Sequence, residues 1–228
     1  MVHLYTALGG LVGMLALMQV SAGNIRMAFI YLALACFIDA TDGIFARLVR
    51  VSDALPHFSG AQVDNAIDVF TFIWIPIFIM GSEGLLPHPY WMTVPIIASL
   101  YAYGQVNMKT PDNFFLGFPS YWNIVALYMW WLRPEPIFAI VMVVIPSVLS
   151  FIPTRYLYPS RNFILWKTTW GLAVVWVAML AYLLSQEVPN RLLVQISTFY
   201  PIYYIGLSFY MDFTIRRSAR RKVVVPVS

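Results

Sequence analysis

Apolar residues in this chain come in long continuous runs separated by short polar stretches, at roughly Leu4–Val20, Met27–Arg47, Gly60–Met80, Tyr90–Tyr103, Pro119–Leu132, Pro136–Ile152, Phe163–Leu184 and Leu192–Phe213. The runs do not alternate polar with apolar, which argues against a strand-built barrel and for helices. About 20 apolar residues rising 1.5 Å each cross a hydrocarbon layer about 30 Å thick, so most of these runs have the length of a span. The pattern predicts an all-α integral membrane protein with about eight transmembrane helices. The fourth and fifth runs are short for a full crossing. Pro119 reads as a helix start, where its missing N–H costs nothing, and Phe114–Phe118 is expected to enter the membrane without being helical. The first run continues into the rest of the pattern and lacks a small-residue cleavage site, so it is kept as a span rather than a removed leader.

Composition sharpens the picture. The chain is 61% apolar and 11% charged, with a mean hydropathy of +0.74, against about 25% charged residues in an ordinary soluble domain. One polytopic membrane domain is expected over residues 1–213, followed by a basic tail over 214–228. With eight spans both termini share a side, and the loops on that side hold Arg47, Arg50, Lys109, Arg155, Arg161, Lys167, Arg216, Arg217, Arg220, Arg221 and Lys222, leaving only Arg26, Arg133 and Arg191 opposite. Eleven of the 14 basic residues on one side predict that both termini are cytoplasmic. The tail reads as an anchor toward anionic lipid, and nucleic-acid binding is not expected. Cys36 is the only cysteine, which precludes an intrachain disulfide, and it reads as a small core residue. His3, His57 and His88 are scattered and receive no role.

The candidate chemistry lies between Asp39 and Asp68. Asp39, Asp42, Asp64 and Asp68 are four of ten acidic residues and sit at the ends of two apolar runs, where an unpaired charge costs several kcal/mol. A single aspartate at a span end is commonly a cap or a snorkelling group. Four of them, spaced i,i+3 and i,i+4 so that each pair shares a helix face, call for cationic partners. Carboxylates without Cys or His among them suit hard divalent cations such as Mg²⁺, Mn²⁺ or Ca²⁺. Gly43 follows Asp42, Ala46 lies one turn on, and Gly60 precedes Asp64 by one turn, so small residues flank the acids where a flat ligand would approach the backbone.

In order, Asp39, Asp42, Gly43, Ala46, Arg47, Gly60, Asp64 and Asp68 resemble the signature of the CDP-alcohol phosphotransferases, membrane enzymes that move a substituted phosphate from a CDP-linked donor to an alcohol. The chain departs from most of that family in the twelve residues, Leu48 to Ser59, that separate Arg47 from Gly60. That longer gap is similar to the bacterial phosphatidylcholine synthases, as are KTPDNFFLGFPSYWN (Lys109 to Asn123) and FIPTRYLYPSR (Phe151 to Arg161). The resemblance implies transfer of the phosphatidyl group of CDP-diacylglycerol to choline, releasing CMP, in a homodimer whose site faces the cytoplasm of a bacterial inner membrane. It further implies two Mn²⁺ or Mg²⁺ ions held by Asp39, Asp42, Asp64 and Asp68, with Asp68 as the base. Asp42, Gly43, Ala46, Arg47 and Gly60 would then receive the CDP group.

Choline's quaternary ammonium offers no N–H, so it is expected to need aromatic faces. Tyr121 and Trp122, with Asn123 beside them, lie at the start of a run on the predicted cytoplasmic side and are the candidates; Tyr156 and Trp166 are weaker ones. Two alternatives stand beside this reading. One keeps the chemistry and changes the acceptor to serine, inositol or glycerol phosphate, the last of which would draw on Arg155, Arg161 and Lys167. The other is a metal- or proton-coupled transporter, against which the predicted site near one membrane face argues.

Overall fold

The computed structural model describes residues 2–48, 59–108, 110, 114–157 and 165–224, with the side chains of residues 2–3, 44–48 and 219–224 outside that description. The chain divides into two compact units, Met1–Ser99 with Ser120–Val144, and Leu100–Pro119 with Ile145–Ser228.

In the first unit α1 (Val2–Ser21) and α2 (Ile25–Leu48) form an antiparallel pair through the turn at Gly23. Buried Ala28, Phe29, Leu32, Ala35 and Ile38 recur along α2 at helical spacing, and buried Asp42 continues that stripe. The third helix, α3, runs from Gly60 to Ser82 and changes character midway. Its first half, Gly60–Asp68, contains no buried residue. In its second half Ile73, Ile75, Ile77, Ile79 and Met80 are all fully buried. Between the halves, Val69–Trp74 winds as a π-helix, with the Ile75 N–H donating to the Phe70 carbonyl. Pro76 supplies the reason, because its ring has no N–H and crowds the carbonyl four residues back, so the preceding turn widens. α1 crosses this wide turn closely: a Cβ on Gly13 would stand 2.8 Å from Thr71 Cγ2. After a short 3₁₀ turn at Pro89–Met92 comes α4 (Thr93–Tyr103). α5 (Trp122–Leu132) packs on the second half of α3, and α6 (Pro136–Phe151) follows.

In the second unit, β1 (Phe114–Leu116) and β2 (Arg155–Leu157) pair antiparallel, with Phe115 opposite Tyr156. The two stretches that carry the subfamily resemblance in sequence therefore meet in one ribbon. The ribbon is sealed against the last helix, where Ser208 Oγ accepts from the Leu157 N–H at 3.2 Å and the Tyr204 hydroxyl donates to the Leu157 carbonyl at 2.6 Å. Gly117 follows β1 at φ +80° with the Ser150 carbonyl oxygen 2.6 Å from where a Cβ would lie. Gly117→Ala combines a left-handed backbone with a steric clash, so it is expected to cost at least about 2 kcal/mol, measured as a lowered unfolding midpoint in detergent. α7 (Trp166–Ser185) precedes α8 (Arg191–Ser197) and α9 (Phe199–Val224), which are separated only by Thr198. Pro201 cannot donate to the Ser197 carbonyl, and the eighth apolar run is accordingly broken there.

The architecture is that of an all-α membrane protein with one short ribbon added. Leu11, Phe37, Ile97, Val174 and Ile202 are each more than 60% exposed, as suits helices covered by lipid or by a partner rather than by water. Helix length and composition alone do not reach the expected count of eight spans. Among the described residues, four helices are long and apolar enough to cross a membrane, over Leu4–Ser21, Gly60–Ser82, Trp166–Ser185 and Arg191–Ser218. α4 and α5 have 11 residues each, or about 16 Å of helix, and α6 has 16. α2, with 24 residues, is also long enough, with Arg26 in its first turn and Asp39 and Asp42 in its second half. The fifth run also starts later than expected: Ser120 takes φ +54°, and the helix begins at Trp122 rather than at Pro119.

Candidate active site

Asp39 stands in the second half of α2, and Asp64 and Asp68 on the polar first half of α3. One carboxylate oxygen from each lies within 4.8 Å of the others, and all three residues are partly exposed. The sequence folds this way because the Ser59 side chain caps α3 by accepting from the Gln62 N–H. The four-residue spacing then puts Asp64 and Asp68 on one face. Oxygens on opposite sides of one ion are about 4.2 Å apart around Mg²⁺ and about 5 Å apart around Ca²⁺, so the spread of the trio fits a single hard divalent cation.

Asp42, predicted as a fourth ligand, lies outside this trio and is only 6% exposed. Gly43 is in α2 one residue beyond it, and Gly60 opens α3. Ala46 and Arg47 fall in the last turn of α2, but their side chains lie outside the described residues. Between the acids, the Thr41 hydroxyl donates to the Phe37 carbonyl one turn back and accepts from the Tyr5 hydroxyl of α1 at 2.8 Å. This clasp fixes the acidic turn of α2 to a neighbouring helix, and sequence reading did not find it.

The Tyr121–Asn123 stretch is brought to α2 as well, although its members differ in what they offer. Asn123 is buried and donates its amide N–H to Cys36 Sγ at 3.0 Å, while its Oδ1 accepts from the Ile124 N–H. Cys36 precedes Asp39 by three residues, so the start of α5 sits about one helical turn from the acids. Trp122 is fully buried, and its indole N–H donates to Ser99 Oγ. A ring enclosed in this way presents no open face. Tyr121, at the N-cap of α5, is partly exposed.

A second polar group lies in the other unit. Asp212 is 8% exposed and accepts from Arg216 Nε at 2.7 Å and Arg155 Nη1 at 3.4 Å. A carboxylate inside an otherwise apolar run was a visible signal for such a pair, and it was not read. Burial first, and then the Asp212 charge, push the neighbouring Tyr156 phenol up to about 12. Tyr156 packs edge-on against Phe118 and Phe209 and is fully buried. Trp166, the other weaker candidate, is 48% exposed at the start of α7.

Comparison with known proteins adds an independent line. The phosphatidylcholine synthase of Legionella pneumophila is 35% identical over 225 residues, covering 93% of this chain and 88% of the relative. That of Rhizobium meliloti is 32% identical over 90% of this chain and 88% of its own length. That of Pseudomonas aeruginosa is 31% identical over 96% and 91%. The sequence profile of the CDP-alcohol phosphatidyltransferases matches residues 3–152, a stretch that holds both helices of the acidic trio. The chain belongs to the CDP-alcohol phosphatidyltransferase family.

Proposed function

We propose that the protein transfers the phosphatidyl group of CDP-diacylglycerol to choline, forming phosphatidylcholine and CMP. The observation that carries this reading is the convergence of Asp39, Asp64 and Asp68 from two helices. It occurs in a chain about one-third identical, over most of its length, to phosphatidylcholine synthases.

Asp39, Asp64 and Asp68 would hold one Mn²⁺ or Mg²⁺ ion, and family likeness supports a second, with Asp42 beside them. When bound, these ions neutralise the diphosphate and the charge that develops on the leaving CMP. Gly43, Ala46 and Gly60 leave room for cytidine, and Arg47 offers paired donors to a phosphate. Asp68 takes the proton of the choline hydroxyl as that oxygen bonds to the lipid-linked phosphorus and the bond from this phosphorus to CMP breaks. Positioning and electrostatics supply most of the acceleration, as in phosphoryl transfer generally.

An unphosphorylated acceptor is supported by Arg155, which Asp212 engages, so this residue is not a spare cation for glycerol phosphate. Among the aromatic candidates, partial exposure favours Tyr121 as a face for the ammonium, with Trp122 and Asn123 holding the start of α5 in place. Tyr121→Ala is expected to raise KM for choline roughly tenfold while leaving that for CDP-diacylglycerol nearly unchanged, from the usual worth of a cation–π contact. Equal rises in both constants would return Tyr121 to the interfacial belt.

The loop-charge asymmetry supports eight membrane-embedded segments, some of them short, with both termini and the acidic site on the cytoplasmic side of a bacterial inner membrane, where nucleotide-linked donors are available. Residues 1–213 form the catalytic domain and residues 214–228 a basic tail, and family likeness supports a homodimer. The decisive assay supplies purified protein with CDP-diacylglycerol, Mn²⁺ and a panel of alcohols, with products identified by mass. Phosphatidylcholine and equimolar CMP are expected. Product from serine, inositol or glycerol phosphate in place of choline would overturn the acceptor assignment.

A further inference from the structure

At the end of the first unit away from the carboxylates, the α1–α2 turn and the C-terminal ends of α3 and α5 border an open cavity of about 390 Å³, lined by Asn24, Arg26, Met27, Glu83 and Trp130 among others. Arg26 and Asp39 are thirteen residues apart on the same helix, or about 20 Å. The cavity is therefore separate from the proposed active site, and it is within the size range, from about 300 Å³ upward, of small-molecule sites.

The charges around it are unequal. Arg133 directs both arms of its guanidinium onto Glu83, with Nη2 on the carboxylate and Nη1 on the backbone carbonyl, each at 2.9 Å. Glu83 is thereby neutralised. The Asn24 amide donates to the Gln19 side chain. Arg26 makes no hydrogen bond or ion pair among the described residues, so the cavity carries one uncompensated positive charge. Trp130, stacked at a tilt 5.5 Å from Phe29, forms an aromatic wall.

A second observation selects the kind of anion. From Met27 at the rim, exposed apolar side chains descend one face of α2 at Met27, Ile30, Leu34 and Phe37, the last 62% exposed. Their spacing of three and four residues makes a continuous stripe. A soluble anion has no use for such a track, whereas an acyl chain attached to a phosphate would lie along it.

We propose that this cavity binds the phosphodiester headgroup of a membrane phospholipid. Arg26 pairs with the phosphate oxygens in the bidentate manner open to a guanidinium. Trp130 sits at the boundary between headgroup and chains, as interfacial tryptophans do, and one acyl chain runs along the Met27–Phe37 stripe. The assignment is independent of which alcohol the enzyme uses.

The test is lipid retention and thermal unfolding of the full-length, detergent-purified protein, titrated separately with dioleoylphosphatidylglycerol, dioleoylglycerol and inorganic phosphate. The phospholipid is expected to be retained and to raise the unfolding midpoint, whereas dioleoylglycerol and phosphate do neither. Arg26→Gln should weaken retention roughly tenfold, in line with loss of a charge-assisted pair. Arg26→Lys should keep most of it, and Arg191→Gln, on a different loop, should change nothing. Equal retention by Arg26→Gln, or equal loss in Arg191→Gln, would overturn the site. Saturation by inorganic phosphate at the same concentration would show an anion site and not a lipid site. Retention of dioleoylglycerol as strong as that of the phospholipid would show that the apolar stripe acts alone.

Discussion

Asp64→Asn is expected to abolish turnover, by on the order of 10³-fold or more, while the protein elutes and unfolds as the parent does. The size follows from the several kcal/mol that metal-held charge contributes to a transition state, at about 1.4 kcal/mol per decade of rate. The change is nearly isosteric and falls on a helix half with no buried residue, so packing gives it little route to harm the fold. Mn²⁺ binding, read by calorimetry or by paramagnetic broadening, should fall with activity, and Asp39→Asn should behave alike because its oxygen belongs to the same trio. Full activity of either variant in excess chelator would remove the metal-dependent mechanism altogether. Asp42→Asn offers a graded comparison. Its carboxylate lies outside the trio and is buried, so any loss of folding should appear here rather than at Asp64.

Asp68→Asn has the second largest expected effect, a fall in turnover on the order of 10²-fold or more with CDP-diacylglycerol binding largely kept, as removal of a general base produces. The geometry makes this a sharp test, because Asp68 sits as close to Asp39 and Asp64 as a ligand would. A ligand and a base are told apart by pH. A lost base leaves a residual rate that climbs with pH as hydroxide or solvent takes over the proton, whereas a lost ligand lowers donor and metal affinity in proportion to rate. Proportional loss would reassign Asp68 to metal holding and leave the base to be found elsewhere.

Helix positions were legible where one physical rule dominates. The first three apolar runs became α1, α2 and α3 within two residues at every boundary, because a long apolar run in lipid has to satisfy its backbone internally. The acidic trio was legible for a related reason: carboxylates in such runs have few uses. What stayed hidden depends on partners distant in sequence. The β1–β2 ribbon joins residues about 40 apart through strands of three residues each, too short to show a period. Asn123 looked like a ligand donor from its neighbours in the chain, yet its amide is directed to Cys36, 87 residues away. Trp122 was a candidate face for the choline ammonium and is fully enclosed, a distinction that depends on Ser99 and no local pattern reports. The missed Tyr5–Thr41 clasp is of the same kind.

The wide turn in α3 has a consequence for how the site is aimed. A helix that kept regular winding through Val69–Trp74 would tie the direction of Asp64 and Asp68 rigidly to that of Ile73–Met80, since each residue advances about 100° around the axis. The π segment places one surplus residue between the two halves, which uncouples their bearings. The second half answers to the packing of the core, while the first half, with no buried residue, is free of that demand. Angular alignment of the carboxylates is thus stored in a residue count, and excising any one position between Asp68 and Pro76 would act as a rotation of the acidic turn by about 100° with every aspartate still in the sequence.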